Sequence, residues 1–201
     1  MPTVIIDLSI SLDGFIAGPN DSPEHPLGER GGEHIFDWYN AGGPVMHGFE
    51  HFRPVGVNRE VVEDMFRLAG VMFTGRRTYD IAKGWSGRHP VNGMPVITLT
   101  HERPKNVPKG ESRLEFASNY ADGLKLAKQL AGDKAVCIGG AAVAQQALNA
   151  GDVDEVLLHI APVVLGDGLR LFANLERTVK LDATRVIHGP GVVHHHYRVV
   201  K

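Results

Sequence analysis

Three short segments combine residue types that suit an anionic, nucleotide-like ligand. Gly75-Arg76-Arg77-Thr78 follows an apolar run and opens a helical pattern. Backbone amides, a hydroxyl and two guanidinium groups therefore meet at a positive helix terminus, a combination that suits phosphate. Ile138-Gly139-Gly140-Ala141-Ala142 joins two glycines, which let a ligand approach the main chain, to a second helix start that could take a pyrophosphate. Thr98-Leu99-Thr100-His101, with Arg103 just beyond, offers two hydroxyls and basic groups to an adenosine ribose and an extra phosphate. Each segment has an ordinary alternative. A Gly-Gly pair also serves as a turn, and an Arg-Arg pair also serves as a solvated face. Their convergence at neighbouring strand ends is what favours the ligand reading.

Other chemistry-bearing residues have two readings each. Asp13, in Ser11-Leu12-Asp13-Gly14, is the first candidate for polar contact with a substrate, and its alternative is an aspartate capping a turn beside Gly14. Glu60, Glu63 and Asp64 fall on a helical pattern, where the helix dipole alone favours acids in the first turn. In His194-His195-His196 the alternation of a strand lets His194 and His196 share a face, and so a metal, while excluding His195. No carboxylate or cysteine signal accompanies them, so the expectation is no metal and a solvated or interfacial strand face. Trp38 and Trp85 lie in loops as lid anchors or as walls of a substrate pocket. The single cysteine, Cys137, sits in an apolar run and reads as a small buried hydrophobe. The G-x-G-x-x-G fingerprint, the phosphate-binding G-x-x-x-x-G-K-[ST] loop, the G-x-S-x-G elbow and the H-E-x-x-H pair are all absent from the sequence.

The elements that must position these residues follow from apolar periodicity. Residues 4–10 are rich in Val and Ile, interrupted by Asp7, and predict a buried first strand that opens into the Asp13 turn. The segment 19–56 is rich in Gly, Pro and His with little periodicity, and reads as a lid pinned by Phe36 and Trp38. The spacing of Val61, Val62, Met65, Phe66 and Leu68 predicts a helix over 58–69. Then follow a strand at 71–74, a short helix from Gly75 through Lys83, and strands at 96–99 and 114–117. A helix at 121–130, a strand at 135–138 and a helix at 141–149 complete the alternation. Strands joined by crossover helices run parallel, with helices on both faces and ligand loops at the C-terminal strand ends. Residues 156–164, 179–187 and 192–200 are strand-like with no helix between them, and Gly189-Pro190-Gly191 closes the last pair tightly. The expected fold is a mixed sheet of about eight strands whose final pair is antiparallel.

The whole chain agrees with this layout. Its 201 residues are 43% hydrophobic and 22% charged, with one composition regime and no repeat, which indicates a single domain over 1–201. A domain of this size buries about 70% of its unfolded surface and needs no disulfide or metal staple. The 21 basic and 23 acidic side chains are dispersed, giving a net charge of -2 and no basic stripe, so nucleic acid is not an expected partner. No apolar run nears the roughly 18 residues that cross a bilayer, and the first residues lack a signal-peptide pattern. The expectation is no membrane partner and a cytoplasmic location.

Four segments carry a family resemblance. They are Ser11-Leu12-Asp13-Gly14-Phe15-Ile16-Ala17-Gly18, Thr74-Gly75-Arg76-Arg77-Thr78-Tyr79, Ile138-Gly139-Gly140, and Ala161-Pro162-Val163-Val164-Leu165-Gly166-Asp167-Gly168 with Leu171-Phe172. In order and spacing they resemble the reductase domain of bacterial riboflavin biosynthesis, the RibD C-terminal family, over nearly the whole chain. The resemblance implies the dihydrofolate-reductase-like fold, a three-layer α/β/α arrangement, and NADPH as cofactor. It implies that Gly75, Arg76, Arg77, Thr78, Thr98, Leu99 and Thr100 surround the adenosine end. Gly139, Gly140, Ala141, Ala142, Val143 and Gln145 would surround the pyrophosphate and nicotinamide, with Ile16 and Ala17 lining the nicotinamide. It also implies a homodimer and a reaction similar to that of 5-amino-6-(5-phosphoribosylamino)uracil reductase, with hydride passed to a small heterocyclic or sugar-bearing molecule. The segment 19–56 is longer than the family pattern. Two other functions are consistent with these residues. Dihydrofolate reduction would require Glu60 or Glu63 to face the cleft, and an NADP-binding sensor or scaffold would bind without turnover.

Overall fold

A computed structural model describes residues 1–47, 49 and 52–201. Gly48, Glu50 and His51, part of the expected lid, lie outside the described residues. In chain order the elements are β1 (Val4–Ser11), β2 (Phe15–Ala17), a 3-10 segment (Gly32–Asn40), α1 (Val57–Leu68), β3 (Ala69–Gly75), α2 (Arg76–Ile81), β4 (Val96–Leu99) and β5 (Leu114–Ala117). They continue with α3 (Tyr120–Ala131), β6 (Ala135–Gly139), α4 (Ala141–Ala150), β7 (Glu155–Ala161), β8 (Leu169–Arg170), β9 (Leu181–Gly189) and β10 (Val192–Val199).

Eight strands form one sheet in the order β5-β4-β3-β6-β1-β7-β10-β9. The first six are mutually parallel, while β10 runs antiparallel to both β7 and β9. The C-terminal ends of β3, β4, β5 and β6 therefore open on one edge, as the strand-helix alternation predicts. The final antiparallel pair is also present. Not anticipated is a two-stranded sheet, β2 with β8, whose members are too short to leave a periodic signature.

Alternation within β1 divides the molecule into layers. Val4, Ile6 and Ile10 face a core shared with Leu124 and Ala127 of α3 and with Val143, Ala144, Ala147 and Leu148 of α4. Asp7 and Ser9 point to the other face, under α1 and the 3-10 segment. A second cluster lies there, built from Trp38, Val62, Phe66, Val91 and Met94. The segment expected to be an irregular lid thus contains a nine-residue 3-10 stretch. Ile35 and Trp38 pin it, at 0% and 2% exposure, while Phe36 is only half-buried. No helix among the described residues is long and apolar enough to cross a membrane.

Candidate active site

At the C-terminal edge of the parallel strands lies a cavity of about 690 Å³. Its wall includes Gly75 and Arg76 after β3, Leu99 and Thr100 after β4, and Ala142 and Val143 at the start of α4. Gly140 caps α4 with no side-chain hydrogen bond, and the first helical bond runs from the Ala144 amide to the Gly140 carbonyl at 3.3 Å. The amides of Ala141, Ala142 and Val143 thus have no helical partner, and their positive end faces this edge. Gly140 holds φ +85° and ψ 154°, and a Cβ there would come within 2.5 Å of Thr78 Oγ1. Only glycine fits this turn comfortably.

The Arg76 guanidinium is held in place. Its Nε donates to both carboxylate oxygens of Asp80 at 2.8 Å, and Nη1 donates to the Glu102 carbonyl at 2.9 Å. Arg77 departs from the expected cluster. It donates to the Asp21 carboxylate and main chain, so it ties the loop after β2 to α2 and does not line the cavity. Thr78 packs beneath the Gly140 turn. Thr98 is 1% exposed, and its Oγ1 is buried without a partner among the described residues. At Gly139 the Met72 side chain fills the space of a Cβ, and the Gly139 carbonyl accepts from Thr74 Oγ1 at 2.7 Å.

Gln145 also lies elsewhere. Its amide donates to the carbonyls of Arg170 and Leu171, holding the β8 region on α4, while Gln146 lines the cavity. Ile16 and Ala17 sit in β2, outside this cavity. Ser118, Asn119 and Tyr120 complete the wall and were not anticipated. The signal was available: Asn119 lies two residues beyond β5 and caps α3 by accepting from the Asp122 amide at 3.0 Å.

Asp13 braces the 165–166 loop, and its carboxylate takes no amide from the turn beside Gly14 among the described residues. Oδ1 accepts from Ser11 Oγ at 2.7 Å and from the Leu165 amide at 3.1 Å, and Oδ2 accepts from the Gly166 amide at 2.7 Å. Desolvation opposes its charge, but the Ser11 hydroxyl and the two amides more than offset it and lower the carboxyl pKa to about 2. The carboxylate is thus engaged by the 165–166 loop, which leaves little for a substrate. On α1, Glu60 and Glu63 are exposed, with Glu63 beside His47 at 3.2 Å. The orientation required for dihydrofolate reduction is therefore not found.

The α1 face of the sheet carries a polar chain beneath Trp38. Asp7 Oδ1 is 2.7 Å from His159 Nε2, His159 Nδ1 is 2.7 Å from His194 Nδ1, and His194 Nε2 is 3.0 Å from Asn58 Oδ1. The side chains of His159 and Asp7 are 2% and 6% exposed, and His194 is 0% exposed. Trp38 lies 5.0 Å from both imidazoles and donates to Ser9 Oγ at 3.1 Å. Asp7 and His159 also line a second cavity of about 390 Å³ between α1 and the β7, β9 and β10 strands.

The expectation of a solvated face for His194 is therefore corrected. Alternation places His194 and His196 together, but it cannot say which face is covered, and here α1 and the 3-10 segment cover theirs. Among the described residues no three of His, Cys, Asp and Glu are grouped to hold a metal ion. Trp38 is a lid anchor, and Trp85 packs on His89 at 5.0 Å outside both cavities. Sequence reasoning passed over Asp7 and His159. Each is an ionisable residue flanked by apolar ones inside a strand, and that was the available signal.

Comparison with known proteins agrees with this architecture. The RibD C-terminal domain family matches residues 2–194. The uncharacterized protein YyaP of Bacillus subtilis is 28% identical over 189 residues, covering 89% of this chain and 84% of that protein. Among solved structures, a putative riboflavin biosynthesis protein from Shewanella sp. PV-4 superposes with a TM-score of 0.70 at 20% identity over 99% of both chains. A dihydrofolate reductase from Enterococcus faecalis, complexed with NADP(H), superposes with a TM-score of 0.57 at 10% identity over 99% of this chain and 97% of that one. The fold is dihydrofolate-reductase-like.

Proposed function

The chain belongs to the RibD C-terminal domain family, and from that premise we propose that it is an NADPH-dependent reductase acting on a small heterocyclic or sugar-bearing substrate. The nearest known reaction would be that of 5-amino-6-(5-phosphoribosylamino)uracil reductase. A single observation carries the cofactor assignment. The ends of β3, β4 and β5 and the first turn of α4 meet around one cavity of about 690 Å³, whose wall also includes Arg76, its guanidinium fixed by the Glu102 carbonyl.

These residues fit a phosphorylated dinucleotide. The volume lies within the usual range for cofactor sites. The Gly140 turn brings main-chain amides to the surface without a side chain in the way, and α4 supplies a positive end for a pyrophosphate. Arg76, Thr100 and His101 line the part of the wall suited to the ribose and its additional phosphate. When bound, the cofactor would supply a hydride, and the protein's task is to hold donor and acceptor together and exclude water. The homodimer implied by the family resemblance belongs to the same reading.

Titration of the protein with NADPH tests this reading through quenching of tryptophan fluorescence and a rise in Tm. Nicotinamide absorbance then follows turnover with 5-amino-6-(5-phosphoribosylamino)uracil. Arg76→Ala is expected to weaken NADPH binding about tenfold or more while leaving NADH less affected, because a charge-assisted contact is lost. Arg77→Ala, outside the cavity, is expected to change affinity by less than about twofold. Equal effects of the two replacements would remove Arg76 from the site. Binding without turnover would favour a nucleotide sensor instead.

A further inference from the structure

The sheet face under α1 carries a row of side chains whose placement follows from strand register. Asp7 of β1 pairs with Leu157 of β7, Leu157 with His196 of β10, and His196 with Arg185 of β9. Partners across a ladder point to the same face, so these four side chains form one line across the sheet. Neighbouring strands lie about 4.8 Å apart, which sets the Asp7 and His196 backbones about 10 Å from each other with Leu157 between them. All four line the cavity of about 390 Å³, and Val61, Met65 and Leu68, on one side of α1, roof it.

The row is acidic and buried at one end, basic and open at the other. The Asp7 side chain is 6% exposed, whereas Arg185 lies on the surface. Asp7 Oδ1 is 2.7 Å from His159 Nε2, and Oδ2 takes no hydrogen bond among the described residues. His159 has nothing further to offer, because its other ring nitrogen faces His194 at 2.7 Å. Among the described residues no lysine or arginine forms an ion pair with Asp7, and Asp64 and Arg67 at the rim pair with each other. Farther along the row, His196 Nε2 is also buried without a protein partner. Buried polar atoms left open in this way destabilise a fold unless something else meets them.

We propose that this cavity is a second ligand site, separate from the cofactor cavity, for a small organic cation. An ammonium, amidinium or guanidinium group would meet Asp7 Oδ2, carried on a flat apolar body that lies over Leu157 beneath the α1 roof. The head donates a charge-assisted hydrogen bond to a carboxylate oxygen with room for one. The body removes apolar wall from water, and a polar atom at its far end supplies the partner that His196 lacks. An anion in the same place would face the Asp7 carboxylate, and a neutral ligand would forgo the charge. The volume lies at the small end of the usual range for ligand pockets. The two cavities share no lining residue, so this site stands whether or not the chain reduces anything.

Benzamidine is the probe, and benzamide, the same ring with an uncharged amide in place of the amidinium, is the control. NMR spectra of the full-length protein during titration with benzamidine are expected to shift Leu157, His159, His196 and the α1 roof, and to leave Gly75, Thr100 and Gly140 unmoved. The expected Kd is below about 1 mM, with benzamide at least about tenfold weaker. Asp7→Asn keeps the shape and removes the charge, and should weaken benzamidine by about tenfold or more until it matches benzamide. The comparison of the two probes on the wild-type protein is decisive without any variant. No response up to about 10 mM benzamidine would mean that water alone fills the cavity and would overturn the site. Equal affinity for the two probes, or shifts confined to the cofactor cavity, would overturn it as well.

Discussion

At the tip of β1, Asp13 gathers a hydroxyl and two amides from separate loops, and this carboxylate is a fixed part of the scaffold. Its folded-state pKa lies below the ordinary 3.8, at about 2. The sign follows: its stabilisation is fully present above about pH 4 and is lost as pH falls towards 2. Asp13→Asn keeps the shape but brings an NH2 group against the loop donors. The expected outcome is a Tm lower by about 2–8 °C at pH 7, from the loss of about 1–2 kcal/mol, with a flatter acid limb. Thermal melts from pH 2 to pH 7 measure both, and an unchanged neutral Tm would mean that the 165–166 loop does not depend on this anion. The same residue shows the limit of sequence reasoning. Its place beside Gly14 allowed a cap or a substrate contact, and the amides that it meets lie some 150 residues away in the chain.

The elements that hold the cavity were legible because each is a sustained apolar run with a clear stop. The strands at 96–99 and 114–117 coincide with β4 and β5, and α1, α3 and α4 deviate by a residue or so at their ends. The small β2–β8 sheet and the 3-10 stretch were not legible. Two or three paired residues show no period, and Gly32–Asn40 is shaped by Trp38 entering a site on β7 and β10 that no local pattern reveals. The junction of β6 and α4 makes a prediction of its own. Gly140→Ala places a Cβ in a backbone region reserved for glycine and against Thr78, at a cost of about 1–3 kcal/mol. Tm should drop on the order of 5 °C, and NADPH affinity should weaken as the amides shift. Gly139→Ala meets only the flexible tip of Met72 and should be milder in both measurements. Equal effects would mean that this turn does not set the position of the α4 amides.

Across the whole molecule, buried neutral histidines shape stability against pH. Burial lowers His89 to about 4 and His194 to about 3, well below the ordinary 6.5. The unfolded chain therefore takes up protons that the native state refuses, so these two residues make stability fall as pH drops below about 6.5 towards 4. Calorimetry from pH 4 to pH 8 should show that decline, and His89→Gln should flatten part of it. A decline of undiminished slope in the variant would remove His89 as a contributor. The global fold class was readable because alternation of strand and helix admits few topologies. The buried polar chain was not, since it joins β1, α1, β7 and β10 only after the sheet has formed.

The strand order has a consequence for how the chain is made. β1 pairs with β6 and β7, which lie about 130 and 150 residues later in the sequence. During synthesis at about 5–20 residues per second, this central strand waits many seconds for either neighbour. Until Gly139 has left the ribosome, the strand carrying Val4, Ile6 and Ile10 has no sheet to join, and its second neighbour is complete only at Ala161. On a nascent chain in that condition the strand is apolar and unpaired, open to pairing with the edges of other chains.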